Sequence, residues 1–516
     1  MNGPATDPRS PCIIGVASHT WHPDDVGDAG APEPLEMWAE VANAAATDSG
    51  GRDVLAAIDD LSIVFCQTCQ YDDAPTRLAQ RLGVEPKHQF YSGIGGTTSQ
   101  QLVANAGAAI LDGARDVVLV TSAEALATQR RAKQAGERIP YAHRPAERRP
   151  YPWEAPLHAA EVAHDVFQAW LTFAVFDNAR RAHFGAGLAD YRCGIGELLA
   201  PLTEIAAANP EAWFRTARTV DEIVEPRADN RMVGYPYTKY MVAIMDVDMA
   251  AAVIVASHER ADALGVPQDQ RVYLRGWSYA TDPVYVAEHR EMWRSPAMKA
   301  ASDEALRLAG VSIDEVTHLD LYSCFASSIE FARDALGIAA DDSRPLSVTG
   351  GLPYHGGPGS GYMTHSIAQM VRELRADPGS KGMVSGVGMN MTKHAFGVYS
   401  TEPGRVTPPD AARVQHALDA AGTVTIADTC DEDGTVAAYS VVHGRGGEPE
   451  WALLICDVAD GARVYARSTD RELLATAESE ELVGRRVHMK STAADLPTGP
   501  GHRNLATLGP RGGAAN

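Results

Sequence analysis

One pattern occurs twice in this chain, and a repeated pattern limits the fold more than any single motif does. At Gly95-Gly96-Thr97-Thr98-Ser99 two glycines end a short stretch and open the Ala-rich helix pattern "SQQLVANAGAAILDG". At Gly356-Gly357-Pro358-Gly359-Ser360 two glycines again lead, through two residues and a serine, into the helix pattern "GYMTHSIAQMVRELRAD". Strands and helices alternate in the same order around each copy. Around the first, "CIIGVAS" (12–18) and "LSIVFCQT" (61–68) read as buried strands, and "DVVLVTSAEA" (116–125) and "MAAAVIVAS" (249–257) as further strands. Around the second, the strands are "RVYLRGWSY" (271–279), "HLDLYSC" (318–324), "LSVTGGLPY" (346–354), "KGMVSGVG" and "FGVYST", with "SPAMKAASDEALRLAGV" and "SSIEFARDALGI" as helices. A turn that ends a strand in glycines and starts a helix aims backbone N–H groups at whatever sits there.

The repeat divides the chain. Residues 10–126 and 246–265 form a first α/β half, and 266–403 a second. Residues 127–245 interrupt the first half with a basic, Pro-bearing stretch followed by helices. After about Pro408 the pattern changes to a helix and short alternating strands, "GTVTIADT", "GTVAAYSVVHG", "EWALLICDV" and "ARVYARSTD". With "VGRRVHM" as the last, these predict a small β-barrel over 408–490. The Pro/Gly/Ala-rich tail, 491–516, reads as disordered. A chain of 516 residues is long enough for several such units.

Composition excludes some classes of function. A net charge of -22 argues against nucleic acid or an anionic membrane as partner, because phosphate binding needs a basic footprint. The N-terminal stretch has no apolar h-region, and the most apolar run is too short to span a bilayer, so a cytoplasmic location is expected. Cys66 and Cys69 lack a second ligand pair at zinc spacing and read as reduced thiols at a strand end. His158, Glu161 and His164 do not fit the H-E-x-x-H spacing, so no metal is expected. A dinucleotide site is disfavoured, since Gly93-x-Gly95 lacks the third glycine of its fingerprint and the reading leaves the repeat unexplained. Ser99 and Ser360 read as helix caps rather than nucleophiles, because neither lies in a G-x-S-x-G elbow.

The duplicated halves, "AAILDGARDVVLVTSAEAL" after the first turn, "DLYSCFASSIEFARDALGI" and the late Gly-rich turns together resemble the thiolases. The resemblance spans about residues 10–402 and is strongest to the sterol-carrier-protein-type thiolases and their thiolase-like relatives. It implies two five-stranded mixed sheets in αβαβα layers, an inserted loop domain that holds CoA, and a homodimer, with a monomer also open. Thiolases join or cleave acyl-CoA molecules with an acylated cysteine, a second cysteine that moves the α-proton, and a histidine at the oxyanion.

By this resemblance the acylated cysteine falls at Gly96, the histidine at Gly357, the second cysteine at or beside Gly386, and the "HDCF"-type position at Tyr322. All four are changed, so standard Claisen activity is expected to be absent, and three glycines are expected to leave open volume. His355 and His394 are the candidate substitutes for acid–base work, against a purely structural part in two glycine-rich turns. Cys324 reads as inert packing.

The expected ligand is CoA or an acyl-CoA, with no other cofactor. Gly95, Gly96, Ser99, Gly356, Gly357 and Gly388 would line its site, and Arg148 and Arg149 would hold the nucleotide phosphates. The alternative for those arginines is a solvated run paired with Glu137 and Glu147. The barrel resembles the OB-like domains found beside thiolase-like proteins. Its acidic "DTCDEDGTV" and sparse Tyr439, Trp451 and Tyr465 favour docking on the core or on an acyl-CoA partner over single-stranded nucleic acid. The implied function is a thiolase-like acyl-CoA-binding protein of lipid metabolism. The alternative is an acyl-CoA C-acyltransferase with catalysis moved to His355 and His394.

Overall fold

The structure is a computed structural model describing residues 6–152, 156–497 and 499–509. Its strands in chain order are β1 (Pro11–Thr20), β2 (Asp60–Ile63), β3 (His88–Tyr91), β4 (Val117–Ala125), β5 (Met232–Gly234), β6 (Tyr237–Thr238), β7 (Asp248–Ser257) and β8 (Val272–Thr281). They continue with β9 (His318–Asp320), β10 (Lys381–Gly388), β11 (Lys393–Ser400), β12 (Asp433–His443), β13 (Pro449–Asp457), β14 (Arg463–Ser468), β15 (Arg486–Leu496) and β16 (Gly499–Leu508).

The two halves run together as one nine-stranded sheet of order β3-β2-β4-β7-β1-β8-β11-β10-β9. The joint is narrow: β1 meets β8 only at Cys12–Tyr273 and Ile13–Val272. Outward from it the halves share one plan, two antiparallel pairings and then a parallel one. Every residue of β4 and β7 is buried, which explains their unbroken apolar runs, since strands covered on both faces do not alternate.

The first half has five strands and the second has four. Residues 346–354, expected as the fifth, form no strand, although Leu321 N–H donates to Leu346 O where that strand would begin. Side chains capture the amides a ladder would need. Val348 and Thr349 N–H donate to Asp320 Oδ2, Gly350 N–H to Ser347 Oγ, Gly351 N–H to Thr349 Oγ1 and Leu352 N–H to Ser323 Oγ.

The two repeated helices, Thr98–Leu111 and Tyr362–Ala376, lie between the halves. The first packs on β4, β7 and β1 and also on β8 and β11; the second packs on β9 and β10 and also on β7 and β1. Residues 362–368 are buried without interruption, as a helix covered all round must be. Outside, helix Pro34–Asp48 covers the first half and helix Pro296–Ala309 the second. The result is the expected αβαβα layering.

In the C-terminal region β12 pairs with β13, β13 with β14, β14 with β16, β16 with β15, and β15 with β12. The loop-domain hairpin β5–β6 extends this sheet through Val442–Gly234, so the boundary between residues 127–245 and 408–490 is crossed by a strand pairing. The expected disorder from residue 491 onward is corrected for residues 491–496 and 499–508. The end of β15 and all of β16 are ladder-paired from Val487–Leu508 to Leu496–Gly499, because pairing depends on a partner strand more than on Pro and Gly content. Residue 498 and residues 510–516 of that tail lie outside the described residues.

Candidate ligand site at the duplicated turns

Both glycine turns open onto one cavity of about 720 Å³. Ile94, Gly95 and Gly96 line it from the first turn, and Gly357, Gly359 and Ser360 from the second. Side chains cross-tie the turns: Gly95 N–H donates to Ser360 Oγ at 3.0 Å, and Thr364 Oγ1–H donates to Ser99 Oγ at 2.9 Å. Neither serine is the expected helix cap; Thr97 and Gly361 hold those positions without side-chain bonds.

Of the positions that the resemblance implies as reactive, Tyr322 and Gly386 both lie against Gly96, and the space beside the two glycines is filled. A Cβ at Gly96 would lie 2.1 Å from Val387 O and 2.4 Å from the Tyr322 hydroxyl oxygen. A Cβ at Gly386 would lie 2.2 Å from Met363 Sδ. The open volume expected behind three glycines is therefore absent at Gly96 and Gly386, because Tyr322, Met363 and the Val387 carbonyl occupy it. Gly357 is looser, its nearest neighbour being Leu352 Cδ2 at 3.2 Å.

Tyr322, Cys324 and Phe325 form one wall; Val387, Met389 and Asn390 form another. Burial, with Cys324 beside it, raises the Tyr322 phenol well above its ordinary range, so it stays a neutral hydrogen-bond donor. Burial pushes the Cys324 thiol up to about 12, and that sulfur lies 3.0 Å from Ser328 Oγ. A thiol so held is not a thiolate at neutral pH, which agrees with inert packing. Met389, in the β10–β11 connection, lines the cavity and adopts φ 56°, a strained conformation for a non-glycine residue.

The loop domain closes the remaining side with Phe167, Trp170 and Phe173. Among the described residues the wall carries two carboxyls, Glu161 and Asp246, and no lysine or arginine. Asp246 is paired with Arg130. Gln67 also lines the cavity, and its segment is held by buried Glu124, which accepts from Gln67 N–H at 2.7 Å, Thr68 N–H at 2.9 Å and Thr68 Oγ1–H at 2.6 Å. Cys66 and Cys69, the strand-end thiols, are both free in this region.

The other expected site residues stand apart from the cavity. His355 is buried behind the second turn, with Nδ1 3.4 Å from Asn209 Nδ2 and its ring 5.6 Å from that of His365. Burial lowers its pKa to about 3, helped by the charge of Arg372. His394 Nε2 lies 3.0 Å from Asp282 Oδ2, 3.2 Å from Ser295 Oγ and 3.1 Å from Met391 O. It ties the β10–β11 hairpin to the start of helix Pro296–Ala309. Burial opposes ionisation of Asp282, but the His394 hydrogen bond and charge hold its carboxyl below the usual value. Neither histidine lines the cavity. The same is true of Ser99, Gly356, Gly386, Gly388, Arg148 and Arg149. Arg148 is exposed, and Arg149 is anchored by its backbone N–H to Gln70 Oε1 and by its guanidinium to Asp72 O.

By sequence Glu161 stands out only as a metal ligand at a spacing that does not fit one. His158 instead caps its own helix, and His164 lies between Ala160 O and Asn504 N–H. Glu161 accepts from Tyr465 and Val286 while lining the cavity. The signal available was one acid inside the apolar stretch "HAAEVAH".

Duplicated halves around two cross-tied glycine turns, with a loop domain inserted in the first, define a thiolase-like protein. Residues 413–494 match the family model described as the thiolase-like protein type 1 additional C-terminal domain. A monomeric SCP2-thiolase-like protein type 1 from Mycobacterium smegmatis is 32% identical, with a TM-score of 0.83, over 98% of this chain and 100% of that one. The chain belongs to that SCP2-thiolase-like type 1 family. A 3-ketoacyl-CoA thiolase from Pectobacterium carotovorum subsp. carotovorum (strain PC1) is 32% identical over 152 residues, 27% of this chain. The chain spans only 33% of that curated relative's length. Acetyl-CoA acetyltransferase from Syntrophomonas wolfei shares the fold at 15% identity and a TM-score of 0.54, over 76% of this chain and 99% of that one.

Proposed function

We propose that the chain binds an acyl thioester, CoA-linked or similar, in the cavity at the two turns, and performs no Claisen condensation or thiolysis there. The observation that carries this is the closure at Gly96. The place of an acylated side chain is taken by the Tyr322 hydroxyl and the Val387 carbonyl, while an apolar cavity of ligand size persists beside them. The neutral Tyr322 hydroxyl would donate to the thioester carbonyl, orienting it without attacking it. Catalysis by His355 or His394 finds no support in their positions behind the turns. Arg148 and Arg149 remain the candidates for the nucleotide phosphates, lying outside a cavity whose own wall carries no described cation. The C-terminal region acts as an OB-like barrel docked on the core; its ring of pairings and its contacts with the loop domain support that role. The monomeric state of the Mycobacterium smegmatis relative favours a monomer. A cytoplasmic place in lipid metabolism accords with these features.

Titration calorimetry with dodecanoyl-CoA tests the reading. Binding at micromolar to millimolar concentration, weakened by Arg148→Ala/Arg149→Ala, is expected, together with no acetoacetyl-CoA thiolysis at saturating CoA. Turnover in the ordinary enzyme range of about 1–1000 per second would overturn it, as would no binding at millimolar acyl-CoA.

A further inference from the structure

The loop-domain wall of the cavity carries a buried carboxyl with acceptor capacity to spare. Glu161 Oε1 takes both donors that reach the side chain, Tyr465 Oη–H at 2.7 Å and Val286 N–H at 3.0 Å. Oε2 accepts no hydrogen bond from a described residue, and Glu161, only 7% exposed, lines the cavity. Val166, Phe167, Trp170 and Phe173 line the same cavity, and the hydroxyl of Tyr285, another lining residue, is already given to Pro156 O. The rim is apolar as well: Leu157, Phe167, Met245 and Val284 line the cavity and are exposed.

A plain alkyl chain packed into this wall would strip water from the free carboxyl oxygen and return nothing, whereas a hydroxyl on the chain would satisfy it. Sites that hydrogen-bond a ligand hydroxyl discriminate strongly against the analogue that lacks it. The two donors on Oε1 fix the carboxyl beforehand, so little ordering is needed on binding. Building on the thioester reading, we infer that the cavity selects acyl groups carrying a hydroxyl on the chain away from the thioester, with Glu161 as the acceptor.

Calorimetry compares ω-hydroxydodecanoyl-CoA with dodecanoyl-CoA, and the methyl esters of the same two acids. Wild type is expected to prefer the hydroxylated chain about tenfold. Glu161→Leu should reduce the preference to about twofold or less, and Tyr465→Phe, which removes a support but leaves the carboxyl, should keep it. Positional isomers of hydroxydodecanoyl-CoA on wild type need no variant to fold; a fixed acceptor gives one preferred position. Equal affinity for all chains, or a preference that survives Glu161→Leu, overturns the inference. Thioesters that bind without hydroxyl preference sink Glu161 alone. Hydroxyl-selective binding of methyl esters without binding of thioesters sinks the CoA reading and leaves Glu161 standing. No binding by either set refutes both.

Discussion

At Gly96 the contact distances fix what substitution can do. A Cβ placed 2.1 Å from a backbone carbonyl oxygen needs the β10 end to move, and overpacking of this kind costs about 3 kcal/mol at the upper end of the usual range. Gly96→Cys is therefore expected to destabilise the fold by about that much and to restore no thiolysis. Adding Tyr322→Ala should recover only part of the loss, since the Val387 carbonyl remains; urea melts of the single and double variants check both. The histidines behind the second turn give a pH signature. His365 has both ring nitrogens unpaired among the described residues and is held well below its ordinary pKa by burial, with His355 and Arg372 adding to it. His355 is lowered to about 3. Below about pH 6.5 an unfolded histidine takes up a proton that these folded ones refuse, so stability falls as pH drops from about 6.5 toward 3. Glu124, raised to about 7 by burial against its hydrogen bonds, works in the opposite sense but is common to every variant compared. His365→Leu should thus lose less melting temperature between pH 7 and pH 5 than wild type; an equal or greater loss would show that its burial is not the source of acid sensitivity.

The segment after β9 shows how one side chain redirects a whole element. Asp320 accepts six hydrogen bonds, from Tyr362 Oη, Ser366 Oγ, Ser347 Oγ, Val348 N, Thr349 N and Thr349 Oγ1. These hold residues 347–349 as a turn and anchor the second central helix at its first residues. "LSVTGGLPY" has the composition of a strand, but a strand there would leave that carboxyl buried without its donors. Asp320→Ala should cost about 3 kcal/mol or more, because several buried donors lose their acceptor together, and Asp320→Asn should fall between. Amide exchange at Val348 and Thr349 should accelerate first. Unchanged exchange at those amides would show that the loop is held by its packing instead.

On the scale of the whole molecule, the C-terminal region is built into the core. Ala438, Val442, Leu453, Ile455 and Tyr465 belong to the same hydrophobic cluster as the central helices. Arg463 donates to the carbonyls of Ala287, His289 and Arg290, and Asn178 Nδ2 donates to Tyr439 O. A chain ended at residue 408 should therefore lose cooperative unfolding and near-UV dichroism; a sharp melt from that fragment would make the C-terminal region an independent module. Among the described residues no helix is long and apolar enough to cross a membrane. The sequence by itself determined the repeat, the strands β4, β7 and β8, the two central helices and the turns that start them, because apolar period and glycine placement are local properties of the chain. It also marked Gly96, Tyr322, Gly357 and Gly386 as neighbours through the resemblance. Only the tertiary structure decided that Tyr322 and Met363 fill the places left by glycine, that residues 346–354 turn around Asp320, and that residues 491–496 and 499–508 pair as strands. It alone moved His355 and His394 out of the cavity and put Glu161 into its wall. Each of these depends on which distant side chain or strand reaches a given point, and that is set by long-range packing that no local window of residues contains.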